Sequence, residues 1–234
     1  MTSTSPSSTS QPSTSPSSLQ TPALDVPTAI LERRAIKTFQ ADPIAPDLLH
    51  RLVELTIAAP SSFNLQQWRI VLVQEEAQKK ALSEAAWGQP QIVQAPVTFV
   101  FVADADGWQD RAAINQIALE TGAWSQQTVD YFNTAIPQFQ TALGDKNREY
   151  AIKDAMIAAT HLMLAAQSLG LATCPMNGWV EEQVKSVVGI ADQPNLVIAL
   201  LVPVGYAAEP RKNPGRLPLS ATVFVDRFGQ SYSD

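Results

Sequence analysis

The sequence predicts a mixed α/β or α+β fold, and three features carry that expectation. Strand-like and helix-like segments alternate along the chain. Two apolar runs, Pro96 to Ala103 and Asn195 to Val204, read as strands buried within a sheet. Between them, Ala151 to Leu169 repeats apolar residues at helical spacing. Ile152, Ala155, Met156, Ala159, Leu162, Met163, Ala166 and Leu169 share one face there, while Ala151, Ala158 and Ala165 keep the other sides small. A helix apolar nearly all round is buried on several sides, which predicts a central helix and a candidate subunit interface.

The remaining elements follow in order. Residues 1–24 are mostly Ser, Thr, Pro and Gln, with almost nothing to bury and no charge before Asp25, so they cannot offset their ordering entropy and are expected to form a disordered tail. The tail has neither the positive start nor the apolar stretch of a secretory signal. Residues 25–234 are expected to fold as one domain. Val26 to Arg34 reads as a short helix with Pro27 in its first turn, where a missing N–H does no harm. Asp47 to Ala58 reads as a second helix with a stripe of Leu48, Leu49, Leu52, Val53 and Leu55, stopped by Pro60. Arg69 to Val73 reads as a strand and Glu75 to Ala86 as a helix, which Trp87-Gly88-Gln89-Pro90-Gln91 breaks. Residues 107–148 scatter Trp108, Trp124, Tyr131, Phe132 and Phe139 through helix-compatible sequence interrupted at Pro137. Beyond the central helix and its Gly170 stop come a strand at Leu171 to Cys174, a turn at Pro175 to Gly178 and a helix at Glu181 to Val188. Residues 211–218 form a basic loop that its prolines keep from being helical, and Val223 to Val225 is expected to add a final strand.

Composition removes several function classes. The 234 residues are 45% hydrophobic and 16% charged with a formal net charge of -6, which argues against nucleic acid as a partner. No apolar run is long enough for a membrane helix. A single cysteine, Cys174, permits no intrachain disulfide and fits a reducing, cytoplasmic setting. Two histidines, His50 and His161, leave too few ligands for a His/Cys zinc site, and no Gly-x-Ser-x-Gly turn appears. Hard chemistry in such a chain falls to a bound cofactor.

Against this acidic background, Arg33-Arg34-Ala35-Ile36-Lys37 places three cations within five positions. Guanidinium forks match phosphate oxygens, so the cluster is a candidate anion clamp, although a solvated helix face is the plainer reading of any charge run. Other polar loops lie at Ser61, Gln89, Asn177-Gly178 and Arg216. A flat polar ring bearing a phosphate would use all of them.

Arg33-Arg34-Ala35-Ile36-Lys37-Thr38-Phe39 and Ala59-Pro60-Ser61-Ser62-Phe63-Asn64-Leu65-Gln66-Gln67-Trp68 resemble the two N-terminal signatures of the FMN-dependent nitroreductase family. Gly170 to Pro175 with Asn177-Gly178 is similar to its central motif, and Val202 to Tyr206 followed by Arg216-Leu217-Pro218 to its C-terminal one. The resemblance covers roughly residues 25–229. It implies an α+β nitroreductase-like fold, a mostly antiparallel sheet flanked by helices in three layers, in an intertwined homodimer with FMN at the subunit interface. Arg33 and Arg216 would bind the FMN phosphate, with Arg34 and Ala35 beside them. Lys37 would lie near N1 and O2 of the ring. Pro60, Ser61, Ser62 and Asn64 would come from the other subunit. Gln89 and Gln91 would meet the polar edge of the ring, and Pro175, Asn177 and Gly178 would line it, with a backbone N–H facing N5. Ala35 stands where the family often has Ser, and Pro214 where some members have a second basic residue, a place that Lys212 or Arg211 could fill. Asn177 stands where several members have an acid or a glycine.

The implied activity is hydride transfer from NADH or NADPH to flavin N5, then from the flavin to a nitroaromatic, quinone or similar small-molecule acceptor in a ping-pong cycle. No protein nucleophile is required, and Cys174 reads as a packing residue. A flavin-cleaving or dehalogenating enzyme of the same fold, or a non-catalytic flavin or nucleotide carrier, are the alternatives.

Overall fold

The structure is a computed structural model that describes residues 23–232. The tail expected to be disordered falls, except for its last two residues, outside the described residues. At its centre stands a four-stranded sheet of β1 (Trp68–Val73), β2 (Val97–Asp104), β3 (Ala172–Thr173) and β4 (Leu196–Gly205). The strand order is β1-β2-β4-β3 and every pairing is antiparallel. The α+β expectation holds, and both long apolar runs are the central strands.

Those two strands are buried on both faces because helices cover the sheet on each side. On one side lie α2 (Pro46–Ile57) and α7 (Asn147–Ser168), packed on Val97, Phe99, Phe101 and Ala103. On the other lie α3 (Glu76–Ala85), α4 (Gln91–Gln94) and α8 (Glu181–Val187), packed on Val100 and Val102. The strand period of two thus sorts β2 cleanly between two cores. In β4 the sorting changes phase. Val197 and Ala199 face the α7 side, and so do Leu200, Val202 and Val204. The pairing jumps from Phe101↔Leu200 to Val102↔Ile198, which leaves Ala199 as the extra residue of a β-bulge.

The central helix forms, and Ala155, Ala159, Leu162 and Ala166 of its expected face are buried, but the most buried stripe is turned toward Ala151 and Ala158. Ala151, Ala155, Ala158, Ala159 and Ala166 are buried with Leu162, whereas Ile152, Met156 and Met163 are only half-buried and Ile157 is exposed. Small side chains let α7 lie close on the sheet, so the alanine face takes the core. The short α1 (Val26–Glu32) packs along α7, and Leu24 is tied to the end of α7 by its N–H to the Ser168 carbonyl at 3.0 Å.

Two further expectations are corrected. Residues 107–148 form α5 (Ala112–Glu120) and α6 (Gln126–Leu143), and α6 runs through Pro137 without stopping. Proline removes one helical hydrogen bond, but Ile136 and Gln140 on either side are fully buried and hold both halves in line. Val223 to Val225 does not join the sheet. It follows α9 (Leu219–Thr222) and folds back on its own end, Val225 N–H to the Gln230 carbonyl at 2.8 Å, with Leu217, Leu219, Val225 and Phe228 exposed. Among the described residues no helix is long and apolar enough to cross a membrane.

The close of β4 is tightly constrained. A Cβ at Gly205 would stand 2.5 Å from Cδ of Pro96 and 3.2 Å from Phe39. The proline ring cannot swing away, so Gly205→Ala is expected to destabilise the protein by about 1–3 kcal/mol. Urea denaturation checks this; a midpoint equal to the parent's contradicts the close approach.

Candidate functional site

The site begins where α1 ends. Asp25 caps the helix by accepting from the Thr28 N–H at 2.8 Å, and beyond Glu32 the backbone becomes extended at Arg33. The chain then runs along the free edge of β3. Ala35 pairs with Thr173 in a parallel bridge, and the Ile36 N–H donates to the Thr173 carbonyl at 3.0 Å. Ile36 enters the core while Lys37 reaches sideways, its Nζ 3.2 Å from Sγ of Cys174. Cys174 is fully buried and packs in the core on the α3 side.

This docking gathers the cationic residues into one cavity of about 270 Å³. Arg33, Arg34, Ala35 and Lys37 line it together with Arg211, Lys212, Pro214 and Arg216, and no acidic side chain takes part. Arg34 closes α1 with Nη1 donating to the carbonyls of Leu31 at 2.6 Å and Arg33 at 2.8 Å. Arg33 has a buried Nη1 with no partner. Burial first, then repulsion from Arg216 and Arg34, holds its guanidinium below its usual value, though an arginine stays charged. Positive charge held together without a counter-ion is a site for an anion.

Past Cys174 the chain keeps to the sheet edge, the Cys174 N–H bonding the Pro203 carbonyl at 3.1 Å and the Met176 N–H that of Leu201 at 2.9 Å. Pro175 and Gly178 are half-buried and Asn177 is exposed. Gln89 Nε2 donates to the Gly178 carbonyl at 3.0 Å, and Gln91, itself buried, donates to Gln89 Oε1 at 2.9 Å. The two glutamines therefore brace the turn. Gly178 gives the Trp87 ring room to lie against the turn, since a Cβ there would stand 2.9 Å from Cζ3 of Trp87.

Pro60, Ser61, Ser62 and Asn64 lie elsewhere. The Ser62 N–H and hydroxyl both approach Oδ1 of Asp154 at 3.4 Å, and the Ser61 hydroxyl accepts from the Gln66 N–H at 2.9 Å. Asp154 to Ser168, where Leu24 is tied and which lines a second cavity with Arg34, is fourteen residues of α7, roughly 21 Å at 1.5 Å per residue. The loop is strained: Phe63, Asn64 and Gln66 all have positive φ, at 51°, 54° and 49°. Phe63 is clamped edge-on by Phe132 and Phe139 of α6, with ring centroids 5.6 and 5.8 Å away. Aromatics of the 107–148 segment thus hold this loop.

A model of the nitroreductase family matches residues 30–206. The chain belongs to the nitroreductase family. It is 36% identical over 203 residues to a Thermus thermophilus protein named NADH dehydrogenase, covering 86% of this chain and 96% of the relative. It is 32% identical over 205 residues to the Bacillus subtilis FMN reductase [NAD(P)H], covering 87% and 74%. Its fold matches that of an Exiguobacterium sibiricum protein solved in complex with FMN, with a TM-score of 0.77, 23% identity and 86% and 97% of the two chains covered. The nitroreductase-like fold expected from the motifs is the fold observed.

Asp154 is one site neighbour of this nitroreductase-family chain that the motifs did not flag. It is buried, its Oδ2 has no partner, and burial holds its carboxyl above the ordinary 3.8 against the opposing hydrogen bonds from Ser62. Burial also raises Tyr150, with a contact to Ser62 opposing and the Asp154 charge adding to the shift. For an acid raised by folding, the stabilising contribution is complete below the unfolded value and is lost as pH rises through the folded one. Asp154→Asn is therefore expected to melt above the parent at neutral pH, with the gap closing as pH falls toward 3.8. A gap independent of pH, or a lower melting point at neutral pH, contradicts the reading.

Proposed function

We propose that this protein is an FMN-dependent oxidoreductase whose flavin phosphate sits in the cavity of Arg33 and Arg216. One observation carries the reading: six cations line that cavity with no acid among them, and Arg33 Nη1 is buried without a partner. The residues fit a phosphate monoester, which offers oxygens to both guanidinium groups. The family relatives named as an NADH dehydrogenase and an FMN reductase support the same reading. The chain is an NAD(P)H-dependent flavin oxidoreductase, and bound FMN supplies the hydride chemistry, from NADH or NADPH to a nitroaromatic, quinone or similar acceptor by a ping-pong cycle.

The chain's own residues bind, orient and polarise. Arg33 and Arg216 hold the phosphate, with Arg34, Lys212 and Arg211 adding positive potential. Lys37, fixed beside Cys174, presents a cation to the pyrimidine edge of the ring, where negative charge develops on reduction. Ala35 lies beside the phosphate in the same cavity, Pro175, Asn177 and Gly178 line the ring, and the Gln89–Gln91 pair keeps the turn in place. A partial burial such as that of Lys37 makes its charge count for more than in open water.

Two copies complete the site. Ser61, Ser62, Asn64 and Pro60 stand some 21 Å along α7 from the end near Arg34, so a second copy supplies them to the flavin held by the first. The exposed apolar residues of α1 and of the C-terminal arm, Val26, Ile30, Leu31, Leu217 and Phe228 among them, give that second copy a surface to cover.

Anaerobic NADH or NADPH is expected to bleach the yellow protein, and a quinone to restore the colour; a colour that persists under reductant marks a carrier instead. Arg216→Ala removes charged hydrogen bonds worth about 1.5–3 kcal/mol, so FMN affinity falls roughly ten- to hundredfold by fluorescence titration. Lys37→Ala is expected to lower the potential of the bound flavin and slow turnover, and an unchanged potential contradicts its role.

A further inference from the structure

The C-terminus of α3 carries a residue that stability alone would not choose. Helices often end with a left-handed residue, usually glycine, at the position after the cap. Here the Trp87 N–H bonds the Glu84 carbonyl at 3.2 Å and the Gly88 N–H bonds that of Ser83 at 2.8 Å, which is the Schellman pattern. The left-handed position is filled by Trp87 at φ 58°, with Gly88 at φ 70° following it. A bulky residue at positive φ is strained, and core burial of its side chain would offset that strain. The Trp87 side chain is not buried: the residue is 70% exposed.

Its surroundings fix where it stands. The ring edge lies against Gly178, where a Cβ would come within 2.9 Å of Cζ3 and 3.2 Å of Cε3. The Ser83 hydroxyl donates to the Gln89 carbonyl at 2.9 Å and locks the stretch on Trp87's far side. Gln89 Nε2 then ties that stretch to the Gly178 carbonyl at 3.0 Å. The indole is thus anchored along one edge, beside the turn that lines the proposed flavin site, with the rest of its surface open.

We infer that Trp87 is a specificity-determining residue, an aromatic platform on which a flat aromatic or quinonoid acceptor stacks. The inference rests on the flavin reading above. Offset stacking of aromatic rings favours such an acceptor over a compact one that has no π-face. The strained backbone is then explained by what it presents rather than by what it packs.

The test uses the flavin-loaded protein with menadione as the flat acceptor and ferricyanide as the compact one. In Trp87→Gly, the ratio of kcat/KM for menadione to that for ferricyanide is expected to fall about three- to tenfold, mainly through KM for menadione. Trp87→Phe keeps most of the ratio. Because glycine relieves the strain, Trp87→Gly is also expected to melt at a higher temperature while keeping its FMN. A ratio unchanged in Trp87→Gly with FMN retained overturns the inference and leaves the flavin reading intact. A lower melting temperature, with dissociation into single chains on sedimentation, also overturns it, since the indole would then be packed against a second copy. A parent protein that takes up no FMN removes the underlying reading instead.

Discussion

The pairing of residues 33–37 with the edge of β3 is the constraint on which the proposed site depends. Ala35 and Ile36 make the backbone contacts with Thr173. Arg33, Arg34 and Lys37 are positioned by that register. Shifting it by one residue would turn Lys37 away from Cys174 and bring Ile36 out of the core. The sheet edge therefore supplies order, and the cations supply positive charge. The electrostatic strain of bringing Arg33, Arg34 and Arg216 together is carried by a scaffold whose central strands are buried on both faces.

A second theme is where the chain tolerates backbone strain. Five non-glycine residues among those described have positive φ, and four of them fall in two short stretches, Phe63 to Gln66 and Trp87. Both stretches belong to loops that the proposed function uses. In the first, aromatic clamping from α6 and the contact of Ser62 with Asp154 hold the strained form. In the second, the cap of α3 does so. A rigid loop suits a ligand whose geometry must be met without reorganisation.

Much of this was legible in the sequence because the relevant signals are local. The two central strands show as unbroken apolar runs, and the cations of the cavity lie within two short segments, around Arg33 and Arg216. What was hidden depends on tertiary contact. The bulge at Ala199 leaves no mark in a continuous apolar run. Pro137 looked like a helix break because the burial of Ile136 and Gln140 cannot be read from their neighbours in sequence. Asp154 reads as an ordinary polar position on a helix until the Ser62 loop is laid across it. Trp87 was masked by Gly88, which looks like the stop glycine although the left-handed backbone begins one residue earlier, at Trp87.

The central claim is that the cationic cavity recognises the phosphate of a flavin. Titrating flavin-free protein with FMN and with riboflavin, followed by flavin fluorescence, tests it most directly. The account predicts saturation at one FMN per chain and binding of riboflavin weaker by at least tenfold, since riboflavin lacks the group the arginines hold. Equal affinity for the two flavins, or binding of neither, would contradict it.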